Sequence, residues 1–155
     1  MNFRIQGLPL APFAPLFGMD DSALAARGVV RRVADRRPGF PCRVSLRDAE
    51  PGETLLLLNY EHLAVPGPYR SSHAIYVREL AQEYVPAINE IPLLLRTRLL
   101  SIRAYDAAGM MVDAEVVDGA GLEPVIARLL DAPAVSLLHL HNAKPGCFAA
   151  SVHRA

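Results

Sequence analysis

Residues 135–153, VSLLHLHNAKPGCFAASVH, contain two apolar segments separated by a run of turn-forming residues. Leu138 and Leu140 alternate with His139 and His141, which is the two-residue period of a β-strand with unlike faces. The segment NAKPG at 142–146 contains Asn, Pro and Gly, the residue types that favour turns. The stretch therefore predicts an antiparallel hairpin with strands near residues 135–142 and 147–153.

The register of this hairpin follows from the alternation. In an antiparallel hairpin the numbers of two opposite residues add up to a constant sum. Leu138 and Leu140 must share the core face with Phe148, so this sum is even. A sum of 288 leaves residues 142–146 as the turn. His141 then lies opposite Cys147, with β-carbons about 4.5–5.5 Å apart, and His139 lies on the same face. The hairpin thus predicts a cluster of two imidazoles and a thiol.

Three interpretations of this cluster are open. In the first, His141 accepts the thiol proton and Cys147 is a catalytic nucleophile or redox thiol. In the second, His139, His141 and Cys147 bind a transition metal such as zinc and leave one coordination position free. In the third, the histidines are hydrogen-bonded structural residues beside a small packed thiol.

A second polar cluster lies in LLLLNYEHLAVPGPYRSSHAIYVRE at residues 55–79. If strands 54–62 and 73–79 form a hairpin with a pair sum of 135, His62 lies opposite His73 across the loop 63–72. His62 is then a candidate general base. The arginines of this region suit a carboxylate or phosphate ligand, or else pair with neighbouring glutamates. The candidate ligand-binding residues are Arg43, Asn59, Tyr60, Glu61, Tyr69 and Arg70.

The remaining pattern predicts a single α+β domain over residues 1–155, with a mainly antiparallel sheet of hairpins. Residues 121–131 have the apolar spacing of an amphipathic helix, and a short helix near residues 22–27 begins after Asp20 or Asp21. Further strands are predicted at 42–47, 99–106 and 110–117. In the hairpin formed by 99–106 and 110–117, a pair sum of 216 places Arg103 opposite Asp113.

Composition limits the classes of function. Sixteen basic and sixteen acidic residues give no net charge, which argues against a general nucleic-acid or membrane binder. Seven arginines and one acidic residue fall within residues 27–47, which favours a solvated basic surface. The alternatives are a patch that binds an anion or nucleic acid, and internal ion pairs.

Cysteine usage and hydropathy indicate a cytoplasmic protein. No apolar run approaches the roughly 18 residues of a membrane span, and prolines interrupt the apolar N-terminus. Two cysteines without CxxC spacing suggest reduced thiols, the alternative being a Cys42–Cys147 disulfide in an exported form. The sequence lacks GxxxxGK[ST], GxGxxG, GxSxG and HExxH motifs, which disfavours the nucleotide-binding, serine-hydrolase and zincin chemistries that those motifs support.

Four segments together resemble a bacterial family known as domain of unknown function 1203. They are GFPCRVSLRDAEPGETLLLLNYEH, YRSSHAIYVRE, RAYDAAGMMVDAEVVDG and HNAKPGCFAA, and the resemblance covers residues 3–154. It implies a small single-domain bacterial protein and supplies no reaction, cofactor or partner. The use of arginine in place of lysine, with abundant alanine and valine, is also typical of a GC-rich bacterial genome.

These observations favour a small enzyme or binding protein whose polar cleft accepts a small anionic ligand. One alternative is a metal-binding protein that uses the His-x-His and Cys hairpin. Another is a non-enzymatic interaction module or a homodimer, with the basic segment 27–47 or an edge strand as its contact surface.

Overall fold

The computed structural model describes all residues from 1 to 155 and contains ten β-strands and three α-helices. The strands are β1 (Phe3–Gln6), β2 (Val30–Val33), β3 (Pro41–Cys42), β4 (Arg47–Asp48), β5 (Thr54–Leu63), β6 (Ser71–Arg78), β7 (Leu99–Tyr105), β8 (Met111–Asp118), β9 (Leu137–Asn142) and β10 (Phe148–Arg154). The helices are α1 (Asp21–Ala25), α2 (Leu93–Arg96) and α3 (Leu122–Asp131). The predicted α+β class with mainly antiparallel strands is confirmed.

The strands form two five-stranded sheets. Sheet A has the order β1-β10-β9-β7-β8 and is antiparallel throughout. Sheet B has the order β2-β5-β6-β3-β4, and its β3–β6 contact is parallel. The sequence analysis did not anticipate this division, because alternation within a strand carries no information about the sheet that the strand joins.

One face of sheet A carries the main hydrophobic core, and we call it the helix face. Ile102 lies opposite Leu140 and Ala104 lies opposite Leu138, so these side chains share the face. They pack with Ile126 and the other buried residues of α3 in a cluster of 19 buried residues. The helix therefore covers sheet A on this side only.

The opposite face of sheet A is polar, and we call it the histidine face. His139 lies opposite Arg103 and His141 lies opposite Ser101, so all four side chains project from the same side. Both histidines are nevertheless buried, at 3% and 0% exposure. Residues of β5 and β6 in sheet B cover them, so the site described below lies between the two sheets.

Both predicted helices are present. Asp20 is the N-cap of α1, and its carboxylate accepts a hydrogen bond of 2.7 Å from the Ala23 backbone N–H. The apolar stripe of α3 buries Leu122, Ile126 and Leu129 against sheet A. Helix α2 was not predicted, since only four residues of PLLLRT are helical and so short a segment has no measurable periodicity.

One strand prediction needs correction, and two strands were not predicted. Residues 42–47 do not form one strand but a tight hairpin, in which Cys42 lies opposite Arg47. Strands β1 and β2 were missed, since each has four residues. Both lie at sheet edges and are held by pairing with β10 and β5, respectively, which are distant in sequence.

Three predicted registers are also wrong. In the β5–β6 hairpin His73 lies opposite Tyr60 instead of His62. His141 lies opposite Phe148 instead of Cys147, and an irregularity between Phe148 and Ala150 shifts the rest of the hairpin. Arg103 lies opposite Ala114 instead of Asp113, and the register of β7 with β8 shifts between Ala104 and Tyr105. Asp113 and Glu115 of β8 pair with Arg128 of α3. The sequence analysis assumed a regular ladder in each hairpin, whereas all three hairpins contain an irregularity at which one strand has an extra residue.

The basic segment 27–47 is mostly paired within the protein. Arg31 bonds to Asp21 and Glu79, Arg37 to Glu50, and Arg47 to Glu53. Internal ion pairing, which the sequence left as an alternative, therefore accounts for most of these charges. No helix combines the length and apolarity needed to cross a membrane.

Candidate functional site

Four of the five histidines meet between the two sheets. The His62 ring lies 4.7 Å from that of His73, 5.3 Å from that of His139 and 5.0 Å from that of His141. The Phe148 ring stacks on His62 at 5.0 Å. Sheet B thus supplies two imidazoles, sheet A supplies two, and an aromatic ring packs against them.

Two strand irregularities flank this cluster. The pairing of β5 with β6 shifts between Glu61 and Leu63, so His62 is the extra residue of a bulge. A second shift lies next to Phe148 in β10. Bulges change the direction in which a side chain points and are frequent beside functional sites. His73 is therefore paired with Tyr60 in the ladder, although its side chain reaches His62 as the sequence analysis expected.

Hydrogen bonds connect three of the imidazoles. His73 Nδ1 lies 2.7 Å from His62 Nε2, and His62 Nδ1 lies 3.2 Å from His139 Nδ1. A neutral imidazole has one N–H and one lone pair, so the N–H groups of this chain point in one of two alternative directions. The three rings therefore form one coupled system of tautomers.

His141 is fixed differently. Its Nδ1 lies 2.9 Å from the carbonyl oxygen of Gly146, which only accepts, so Nδ1 carries the hydrogen. Nε2 then has a lone pair, and this atom is buried without any hydrogen-bond partner. An unpartnered buried acceptor costs free energy in the absence of a ligand.

Burial keeps the cluster neutral. Desolvation lowers the pKa of His139 and of His141 to about 3, with smaller contributions from neighbouring charges that include Arg103. It lowers the pKa of His62 to about 4, and His73 and the guanidinium of Arg103 add to this effect. The imidazoles are therefore uncharged at neutral pH, and each offers a nitrogen lone pair.

The sulfur of Cys147 hydrogen-bonds to an arginine. The Arg43 side chain is 2% exposed and donates to the carbonyl oxygens of Pro41 and Phe148 and to Cys147 Sγ at 3.0 Å. Asn142 Nδ2 lies 3.5 Å from the same sulfur. Burial lowers the pKa of Arg43, and the nearby Cys147 sulfur opposes this shift. The hydrogen bonds of the Cys147 sulfur involve Arg43 and Asn142, and none joins it to His141.

A cleft of about 990 Å³ opens next to the histidines. Four cationic side chains line it, and no carboxylate does. Arg36 and Arg98 are paired with Asp35 and Asp48, whereas Lys144 has no ion pair. The residues that line the cleft and carry polar side-chain groups are Arg36, Arg43, His73, Tyr76, Thr97, Arg98, Asn142, Lys144 and Cys147.

Most of the other sequence candidates lie outside this cleft. Glu61 and Arg70 form an exposed bidentate ion pair with distances of 2.8 and 3.1 Å. Pairing with a neighbouring glutamate was the alternative to ligand binding for this arginine. Tyr60 packs against Phe13, and Asn59 is exposed. The ring of Tyr69 lies 6.3 Å from that of Tyr105. Of the six candidate ligand-binding residues, only Arg43 lines the cleft.

Both thiols are free, so the alternative of a Cys42–Cys147 disulfide does not apply to this structure. Cys42 is fully buried, whereas Cys147 is partly exposed. The sequence analysis missed Arg36, Arg98 and Lys144 as cleft residues. Lys144 could have been found from the sequence, since it is the only lysine of the chain and lies inside the turn of the hairpin that contains His139, His141 and Cys147.

The family assignment rests on a direct comparison. The model of the family described as "Protein of unknown function (DUF1203)" matches residues 39–154. The chain belongs to this family. The match includes β3 to β10, and therefore all four clustered histidines, Arg43 and Cys147. It confirms the resemblance seen in the sequence and assigns no activity. Searches of curated proteins and of solved structures found no match.

Proposed function

We propose that this protein binds a small anionic molecule, such as a phosphate or carboxylate compound, in the cleft between the sheets. The observation that carries the proposal is the lining of the cleft, which has four cationic side chains and no carboxylate. Its volume of about 990 Å³ lies at the upper end of the range typical of small-molecule sites.

Arg43 and Lys144 are the most informative of these cations. The Arg43 guanidinium is buried with two carbonyl groups and a thiol as partners, and none of these is a carboxylate. A buried cation without a counter-ion is unfavourable, so an anion next to it is stabilised. Lys144 is exposed and unpaired, which leaves its ammonium group free to contact a ligand that enters the cleft.

Cys147 is the candidate reactive group of this site. Reactive cysteines occupy electropositive, partly exposed environments, and Cys147 is partly exposed, lines the cleft and contacts the Arg43 guanidinium. The cationic group that contacts its sulfur is the guanidinium of Arg43. We place the protein in a reducing compartment such as the cytoplasm, since two free thiols are compatible with it.

The test measures alkylation of Cys147 by iodoacetamide in the folded protein. Cys42 is fully buried, so the fast reaction reports Cys147. Inorganic phosphate and oxalate serve as anion probes, with sodium chloride at equal ionic strength as the reference. At least one of the two is expected to slow alkylation saturably and to raise the melting temperature, because a bound anion covers the thiol and stabilises the native state.

Two variants make the test specific. Lys144→Ala should raise the half-protecting anion concentration several-fold, since it removes an unpaired cation of the cleft. Arg32→Ala removes an exposed, unpaired cation outside the cleft and should have no effect. Failure of both probes to protect Cys147, or equal protection in Lys144→Ala and the wild type, would contradict the proposal.

A further inference from the structure

Three histidines from the two sheets converge on one point. His62 of β5, His73 of β6 and His141 of β9 each offer a nitrogen atom, and these atoms all lie within 4.8 Å of one another. Nitrogen ligands of one tetrahedral zinc ion lie roughly 3.3 Å apart, as bonds of about 2.0–2.1 Å require. We propose that these three histidines bind a divalent transition metal ion such as zinc or cobalt. This inference is independent of the proposed anion binding.

His141 is already arranged as a metal ligand. The Gly146 carbonyl oxygen holds the hydrogen on Nδ1 and leaves the lone pair on Nε2, which is buried and has no partner. Metal-binding histidines commonly donate their second ring N–H to a backbone carbonyl or carboxylate in this way. A metal ion at Nε2 would satisfy the one atom of this side chain that the protein leaves without a bond.

His62 and His73 must separate slightly to bind the same ion. Their facing nitrogens, Nε2 and Nδ1, are 2.7 Å apart and share a hydrogen. A metal ion replaces this hydrogen, which moves to Nε2 of His73, an atom without a hydrogen-bond partner in the protein. His73 is only half-buried, so its ring can rotate to open the gap by roughly 0.6 Å.

His139 is a positioning residue for this centre. When His62 binds the metal through Nε2, its hydrogen lies on Nδ1, and His139 Nδ1 at 3.2 Å accepts it. Such a contact fixes the tautomer and the ring orientation of a ligand. The ligand set therefore differs from the predicted His139, His141 and Cys147, since the structure commits the Cys147 sulfur to Arg43 and Asn142.

The chemistry of the site indicates the class of metal and its open positions. Three neutral imidazoles suit borderline ions such as Zn²⁺ or Co²⁺, and hard Mg²⁺ and Ca²⁺ require oxygen ligands. Three protein ligands leave a position for water or for an anion. His73 also lines the cationic cleft, so an anion in that cleft lies within the neighbourhood of the metal.

The experiment is a cobalt(II) titration of metal-free protein prepared without a histidine tag, followed by visible absorption and by calorimetry. The expected result is one equivalent of cobalt with d–d bands of a four- or five-coordinate ion. No thiolate-to-cobalt band is expected in the near ultraviolet. His73→Ala is the main variant, because this half-exposed residue can be replaced without emptying the core, and it should weaken cobalt binding at least tenfold.

His153→Ala is the matched control, since His153 is the one histidine outside the cluster and should not affect cobalt binding. His139→Ala should weaken binding about 10- to 100-fold with unchanged d–d bands, and His139→Gln should restore part of the affinity, because its amide oxygen accepts the His62 hydrogen.

Three results would overturn the assignment, and the first two concern the wild-type protein and Cys147→Ala. One is the absence of stoichiometric cobalt and zinc binding by protein that is folded by circular dichroism. The other is a thiolate-to-cobalt band that disappears in Cys147→Ala, which would favour the ligands predicted from the sequence. Unchanged cobalt affinity in His73→Ala would also exclude this ligand set.

Discussion

The helix face and the histidine face of sheet A are made by the same strands and are equally buried. Leu138 and Leu140 on the helix face are fully inaccessible, and His139 and His141 on the other face are 3% and 0% exposed. The helix face excludes water by packing apolar side chains. The histidine face is covered by sheet B, but its polar atoms are only partly satisfied. Burial alone therefore does not distinguish the two faces, whereas the unpartnered buried nitrogen of His141 does.

The largest effect on the free energy of unfolding is expected when a leucine is compared with its histidine neighbour in β9. Leu140→Ala should lower the free energy of unfolding by roughly 2–5 kcal/mol, because it leaves a cavity in the main core. His141→Leu should change it by only about 1 kcal/mol in metal-free protein, since the lost Gly146 hydrogen bond is offset by apolar burial. Urea unfolding measures both, and equal losses would remove the distinction between the two faces.

The two faces should also differ in their response to pH. The pKa of His139 and of His141 falls from about 6.5 in the unfolded chain to about 3 in the folded protein. The unfolded chain therefore binds more protons than the folded protein below about pH 6.5. The contribution of His139 and His141 to the free energy of unfolding is complete above that pH, and it is lost as the pH falls toward the folded pKa.

Urea unfolding of metal-free protein should accordingly show a loss of a few kcal/mol between pH 7 and pH 5. His141→Leu should show a weaker dependence on pH, because one titrating group is gone. Val152→Ala, on the helix face, should lower stability at both pH values by the same amount. An equally steep pH dependence in His141→Leu would show that other groups control the acid sensitivity.

The smallest effect concerns the ion pair at the exposed end of the β5–β6 hairpin. Arg70→Ala removes a contact between exposed side chains, whose interaction water screens, so no resolvable change in melting temperature is expected. Protection of Cys147 by phosphate or oxalate should also be unchanged, in contrast to Lys144→Ala. Weaker anion protection in Arg70→Ala would extend the site beyond the described cleft.

Local sequence pattern determined most of the secondary structure. The alternation of leucine and histidine at 138–141 placed unlike side chains on the two faces of β9, and the structure has them there. The Asp20 cap and the apolar stripe of α3 were equally predictable, since capping and helical spacing involve residues within a few positions of each other. His62 and His73 were expected to be close because one hairpin contains both.

Only the tertiary structure decided how these parts make a site. The bulge at His62 and the shift after Phe148 changed the partners of the histidines, and a bulge leaves no clear mark on the alternation of residue types. The contact of Arg43 with Cys147 joins residues 104 positions apart, and the histidine cluster joins two sheets. Sequence period fixes which side of a strand a residue faces, whereas the packing of one sheet on another determines what it meets there.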